Sequence, residues 1–178
     1  MLKLLKNNIL QLRAPEPEDL EVLYSWENDT DVWIYGSAMS PYSKYILRQY
    51  IADAQTDIFE AKQLRFMIDL QKDNSTIGTI DLYDFDALNS RCGVGIYIDA
   101  NYRRSGFAKQ ALVLLQDYVF NFLNINQLYA HIPESNKASL ELFKSAGFSV
   151  SGTLKEWIFS DNNYENAIIM QKLKTNQQ

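Results

Sequence analysis

Cysteine is nearly absent from this 178-residue chain, with Cys92 the single one. One thiol closes no internal disulfide, so the fold must be held by its core, and a cytoplasmic setting is the expectation. Histidine is equally scarce. His131 stands alone, and no motif supplies the partners that a Ser-His-Asp triad or a zinc site needs. It reads as structural or peripheral. Four prolines and seven glycines are scattered along the chain, without a low-complexity linker or an internal repeat. No window approaches the ~20 apolar residues of a membrane helix, and residues 1–12 are too broken by Lys and Asn for a secretory core. There is no basic run and the net charge is −5, which argues against nucleic acid as a partner. No Gly-Lys-Ser/Thr phosphate loop occurs. Gly93-x-Gly95 fails as a dinucleotide fingerprint, because its third position falls on Ile98.

What is present suits a packed core. Hydrophobic residues make up 47% and charged residues 22%, ordinary for a globular domain, and the length suits one domain. Ile9, Leu10 and Leu12 predict a first strand ending near Arg13. Prolines at 15 and 17 and acids at 18 and 19 open a helix carried by Leu20, Leu23 and Tyr24. Residues 28–31 break it. Ser40-Pro41 opens a second helix, with Tyr45, Ile46, Gln49, Tyr50 and Ile51 at helical spacing. The period then shortens to two at Leu64, Phe66, Ile68 and Leu70. Strands at 76–82 and 93–98 complete an antiparallel meander. An amphipathic helix over 108–123 follows, then a strand at 127–132. Pro133-Glu134-Ser135-Asn136 opens a further helix, which Gly147 closes. Two strands over 148–158 and 164–173 end the pattern. The expected order is β-α-α-β-β-β-α-β-α-β-β. It describes an α/β (α+β) fold: a single mixed, mostly antiparallel sheet of about seven strands with helices on both faces. One domain over 1–173 with a polar tail at 174–178 is the expected organisation.

Arg103-Arg104-Ser105-Gly106-Phe107-Ala108 falls between a strand and the longest helix. The first turn of a helix has unpaired N–H groups and a partial positive charge. Gly106 lets the backbone approach a ligand closely, and Arg103 and Arg104 can add charge-assisted bonds. The stretch therefore reads as an anion site suited to a diphosphate. For the loop by itself, an exposed Arg-rich turn is the plainer alternative.

In this element order, Arg103-x-x-Gly106-x-Ala108 resembles the pyrophosphate loop of the GNAT superfamily of acetyl-CoA-dependent N-acetyltransferases. Asn136-x-x-Ser139 followed by Gly147-Phe148 resembles that family's next helix. Asn28-Asp29-x-x-Val32, Pro41-Tyr42, Gly78-x-x-Asp81-Leu82 and Lys155-Glu156-Trp157-Ile158-Phe159 are similar to the spermidine and ribosomal-protein N-terminal acetyltransferase branches. The resemblance covers nearly the whole chain. It implies acetyl-CoA as cofactor, with its diphosphate at residues 103–108. Its pantetheine arm would lie against the backbone of Ile96, Tyr97 and Ile98, on a strand splayed from its parallel neighbour. Asn136 and Ser139, one helical turn apart, and Phe143 complete the implied cofactor set; Asn136 is also a sufficient helix N-cap. Phe143 replaces the Tyr that many members carry to protonate the departing thiolate. A thiolate of pKa ~8.5 leaves without strong acid help, and Tyr97 is an alternative donor. Relatives of this kind are often dimers, so a homodimer is expected.

The acceptor side is less defined. An alkylammonium of pKa ~10.4 must lose a proton before it attacks a thioester. Asp81 and Tyr83 share one strand face, and Asp81 matches an acidic position of spermidine-type relatives, so it is the expected base or acceptor ligand. Trp33, Tyr35 and Trp157 are candidate acceptor-side aromatics, or simply core. Residues 36–39 lack the acidic pair that spermidine-type relatives carry before Pro-Tyr; a polyamine needs several carboxylates around it, so the expectation here runs against spermidine and leaves the acceptor open among small-molecule and peptide amines. The expected activity is N-acetyl transfer by direct attack in a ternary complex. A non-catalytic acyl-CoA-binding or sensing protein is the alternative.

Overall fold

Alternating apolar residues build seven strands: β1 (Leu10–Arg13), β2 (Leu64–Leu70), β3 (Thr76–Asp86), β4 (Arg91–Ile98), β5 (Gln127–Pro133), β6 (Ser149–Ser160) and β7 (Asn163–Leu173). In this computed structural model, which describes residues 4–33, 40–160 and 162–175, they form one sheet in the order β1-β2-β3-β4-β5-β7-β6. Only β4 and β5 pair in parallel; every other neighbour is antiparallel. The helices are α1 (Leu20–Glu27), α2 (Thr30–Trp33), α3 (Lys44–Asp53), α4 (Ile58–Ala61), α5 (Phe107–Asp117) and α6 (Lys137–Ser145).

Residues opposite each other across a ladder share a face, so the register divides the core. Leu12, Ile68, Ile80, Ile96, Val94, Leu128 and Met170 lie on one face, packed with Ala111, Leu112 and Leu115 of α5 and Phe143 of α6. Met67 lies on the other face, under Leu20, Leu23 and Trp26 of α1 and Leu47 and Ile51 of α3. Helices thus cover both faces, as the periodicity predicts. The helices over β2 to β4 leave the second face open across β5 and β7, where Asp84, Arg91, Tyr129, His131 and Gln171 line a cavity of about 430 Å³.

Several boundaries differ from the sequence reading. The second helix starts at Lys44, because the Ser43 hydroxyl rather than Ser40 accepts the first N–H, from Ile46 at 3.2 Å. The sequence reading puts a break at residues 28–31, yet Thr30–Trp33 make one helical turn, and α4 adds a second unpredicted turn. Both are too short for a hydrophobic period to register. β3 runs on to Asp86 through a bulge after Tyr83, with Asp84 in the left-handed region at φ 48°. The helix expected over 108–123 ends at Asp117 and continues as a π turn over Tyr118–Phe122.

Gly78 pairs with Ile98 at the far end of β4. A Cβ there would stand 2.1 Å from the carbonyl oxygen of Tyr97, and backbone cannot rotate away as a side chain can. Gly78→Ala is expected to cost on the order of 2 kcal/mol by overpacking. Urea unfolding, read as a shift in midpoint at unchanged slope, measures it.

Candidate active site

The site begins where a ladder stops. β4 and β5 pair at Arg91↔Gln127, Cys92↔Leu128 and Gly93↔Tyr129, and there the pairing ends. Past Gly93, residues 94–98 keep their antiparallel partners on β3 but have none on β5. The two parallel strands diverge into a V that opens towards Ile98 and Pro133. An open strand edge offers backbone N–H and C=O groups to an extended ligand that can lie along it as a further strand. The side chains of Ile96 and Ile98 point into the core, so what these residues offer the cleft is backbone.

α5 starts at the mouth of the V. Arg104 and Gly106 both take positive φ, 60° and 77°. Gly106 is the N-cap of α5, and no side chain caps that helix. A Cβ at Gly106 would meet nothing within 4 Å, so the space over the first turn is open. Phe107 and Ala108 pack their side chains on the core, and as first-turn residues of α5 their N–H groups have no intrahelical partners. Ser105 donates back to the Arg103 carbonyl at 3.3 Å and tightens the turn. Arg103 folds back: its Nε donates to the Ile98 carbonyl at 2.9 Å, and its guanidinium lies 5.8 Å from the Tyr97 ring centre. Arg104 remains exposed. An uncapped helix start, two left-handed residues and an open approach fit a diphosphate.

Across the V, Asn136 caps α6 by accepting the Ser139 N–H at 3.1 Å, so the plain capping role is realised. Phe143 is buried to 2% exposure and meets Phe148 edge-on at 5.0 Å between ring centres. It supplies apolar wall and no proton.

Tyr97, on the second face of β4, is the centre of the remaining polar groups. Its ring lies 5.2 Å from that of Trp26. Desolvation raises its hydroxyl pKa first, the charges of Asp99 and Asp29 add to the shift, and Arg103 partly offsets it. Asp99 accepts the Trp26 Nε1–H at 3.0 Å and the Asn101 N–H at 2.9 Å. Partial burial pulls its pKa up, but those hydrogen bonds and Arg103 win and lower it. A phenol whose ionisation is disfavoured thus lies beside the Trp26 indole, which itself is tied to Asp99 at the end of β4. Asp29, Asp99 and Trp26 were not singled out from the sequence. Only the fold brings α1 to the end of β4.

Asp81 does not stand free. Its two oxygens accept from Arg65 Nε at 2.7 Å and Nη2 at 3.0 Å. The Nη1 of Arg65 donates to Glu27, and its guanidinium lies 5.2 Å from the Tyr50 ring centre. Burial by itself would lower the Arg65 pKa, but the neighbouring carboxylates, Asp81 foremost, hold it well above the ordinary arginine value. Both Asp81 oxygens are therefore taken up by the Arg65 fork, a bidentate pairing. Trp33 is half-buried and donates its Nε1–H to the Glu27 carbonyl at 2.8 Å. Trp157 projects from β6 beyond a bulge, 61% exposed, and is not gathered with Tyr97 by any contact seen here. Tyr35 and residues 36–39 lie outside the described residues. His131 is exposed on β5, with its ring 5.4 Å from Tyr129. Cys92 is buried, which pushes its thiol to about 12 and leaves it inert. Among the described residues no cluster could hold a metal ion, and no helix is long and apolar enough to cross a membrane.

A split between parallel strands, with a backbone anion nest at its mouth, is the layout of an acyltransferase that takes its acyl group from coenzyme A. A model of the acetyltransferase (GNAT) domain matches residues 10–149. The chain belongs to the GNAT acetyltransferase family, and it is an acetyl-CoA-dependent N-acetyltransferase. It is 29% identical over 161 residues to spermidine N(1)-acetyltransferase of Escherichia coli K12, covering 90% of this chain and 84% of that one. It is 30% identical over 149 residues to the uncharacterized N-acetyltransferase p20 of Bacillus licheniformis, covering 83% of each. Among solved structures, spermidine N-acetyltransferase from Vibrio cholerae in complex with CoA and spermine superposes with a TM-score of 0.82 at 25% identity, over 94% of this chain and 97% of that one.

Proposed function

We propose that the acceptor is an aliphatic polyamine of the spermidine type. The observation that carries this reading is the grouping of Asp99, Trp26 and Tyr97 at the end of β4, with the charge of Asp29 bearing on the same phenol. Fixed carboxylates draw a cationic chain, and aromatic faces accept both its ammonium groups and its methylenes. The spermidine acetyltransferases of Escherichia coli and Vibrio cholerae among the relatives support it. Bound acetyl-CoA supplies the activated thioester. The chain's own residues do the rest. The N–H groups at the start of α5 and the exposed Arg104 hold the diphosphate. The open edge of β4 at 94–98 holds the arm and orients a backbone N–H at the acyl oxygen. Tyr97 keeps its proton and serves as the donor that Phe143 cannot be. Asp81, through Arg65, fixes α1 over β3 rather than removing a proton, and the ammonium proton leaves to water at the open mouth. Positioning supplies most of the acceleration. The same reading includes one domain over 1–173 and a cytoplasmic, homo-oligomeric enzyme, with a dimer as the smallest unit.

Coenzyme A release, measured with acetyl-CoA against spermidine, spermine, putrescine, free amino acids and short peptides, tests the acceptor. Spermidine and spermine are expected to give kcat/KM at least about tenfold above the rest, since a second ammonium adds a charge-assisted contact. Faster turnover on peptide N-termini or amino acids would sink the polyamine reading and leave the family assignment intact.

A further inference from the structure

Gly93 and Gly95 belong to no cofactor motif, yet both face the ring of Tyr83. Tyr83 on β3 is paired with Gly93 on β4, and a Cβ at Gly93 would come within 2.3 Å of that ring. A Cβ at Gly95 would lie 3.9 Å from its other edge. Two residues without side chains thus make a trough in β4, and the Tyr83 ring lies in it. The ring reaches β5, where it meets Tyr129 edge-on with centres 6.1 Å apart. Burial, the largest influence, pushes its hydroxyl to about 12.

This ring therefore crosses three strands at one level, and that level is the last β4–β5 pair, Gly93↔Tyr129. It covers the vertex of the V on the second face. On the first face the vertex is backed by Cys92, Val94 and Leu128, all buried. The cavity lined by Asp84, Tyr129 and His131 lies on the second face as well, beyond the ring. We infer that Tyr83 is a positioning residue that closes the cleft below the acyl group, whose thioester lies further along β4 towards Tyr97, and limits the transferred group to a short acyl chain. Removing the ring joins the vertex to the open-face cavity and makes room for longer acyl groups. The inference rests on the V being the coenzyme A cleft.

Binding without an amine acceptor tests it, since no turnover then occurs. Affinities for acetyl-CoA and hexanoyl-CoA are measured by calorimetry on the full chain, wild type and variants. Wild type is expected to bind hexanoyl-CoA about tenfold or more weakly than acetyl-CoA, because a sealed apolar site rejects extra methylenes. In Tyr83→Ala the ratio should fall to within about twofold, whereas Tyr83→Phe, which keeps the ring, should retain it. Tyr83→Leu, less open but easier to pack, should give an intermediate ratio and serves if the alanine variant melts early. A folded Tyr83→Ala or Tyr83→Leu that keeps the wild-type ratio overturns the floor. So does a wild type that binds both donors equally. Failure of wild type to bind either donor overturns the cleft reading itself, a result distinct from an unchanged ratio.

Discussion

Gly106→Glu is expected to weaken coenzyme A binding by about 100-fold or more, some 2.7 kcal/mol, and to abolish acetyl transfer at ordinary donor concentrations. The physical case rests on the start of α5. Gly106 takes φ 77° and nothing lies within 4 Å of where its Cβ would be. A glutamate side chain fits there without a clash, and its carboxylate occupies the positive helix start that the diphosphate needs. Two effects act together: loss of charge-assisted bonds worth about 1.5–3 kcal/mol each, and repulsion between like charges. The fold should survive. A left-handed non-glycine residue costs roughly 1–2 kcal/mol, and an acid at a helix N-terminus returns about 0.3–1 kcal/mol. Gly106→Ala isolates the backbone cost and should keep most of the affinity. Calorimetric titration with coenzyme A, beside a thermal melt, separates these contributions. Wild-type affinity in a folded Gly106→Glu protein would remove the diphosphate from this loop.

Arg65→Met should be the most damaging single change to stability away from the cleft. Arg65 serves Asp81 on β3 and Glu27 on α1 together, with side chains 18%, 27% and 25% exposed. Removing the guanidinium leaves two partly buried carboxylates facing each other without a counter-charge. Breaking such a pair from one side costs about 3–5 kcal/mol. For a chain of this size each kcal/mol moves the melting temperature by about 2–4 °C, so a fall on the order of 10 °C is expected. Asp81→Asn should cost less, about 1–2 kcal/mol, because an amide oxygen still accepts one bond from Arg65. It also separates the two roles of Asp81. If the residue is an ion-pair anchor, Asp81→Asn lowers the melting temperature and leaves the shape of the kcat–pH profile unchanged. A lost acidic limb at unchanged melting temperature would restore it as the base.

Most elements were legible from periodicity. β2 alternates over Leu64–Leu70, α5 carries an apolar stripe, and Gly147 closes α6 in the left-handed region at φ 89°. These signals are local: a strand or helix writes its own period into a few consecutive residues. The short helices α2 and α4 were missed because four residues carry no period. The anion loop was legible for the same local reason, since arginine, serine and glycine at a strand-to-helix junction describe a backbone conformation and a charge. Phe143 was correctly seen to lack a proton, but its depth in the core was not visible.

The order of elements, the strand-to-helix turn at 103–108 and the GNAT resemblance could be read from the chain alone, because each depends on neighbours in it. The tertiary structure decided where β4 and β5 part, because their register is set by residues some 36 positions apart, Arg91 and Gln127. It decided that Asp81 is held by Arg65, although the sequence offered Asp81 as a free carboxylate. It also brought Trp26 of α1 against Tyr97 and tied it to Asp99 at the end of β4. Electrostatics and steric closure act through space, and only packing makes residues remote in the chain neighbours there.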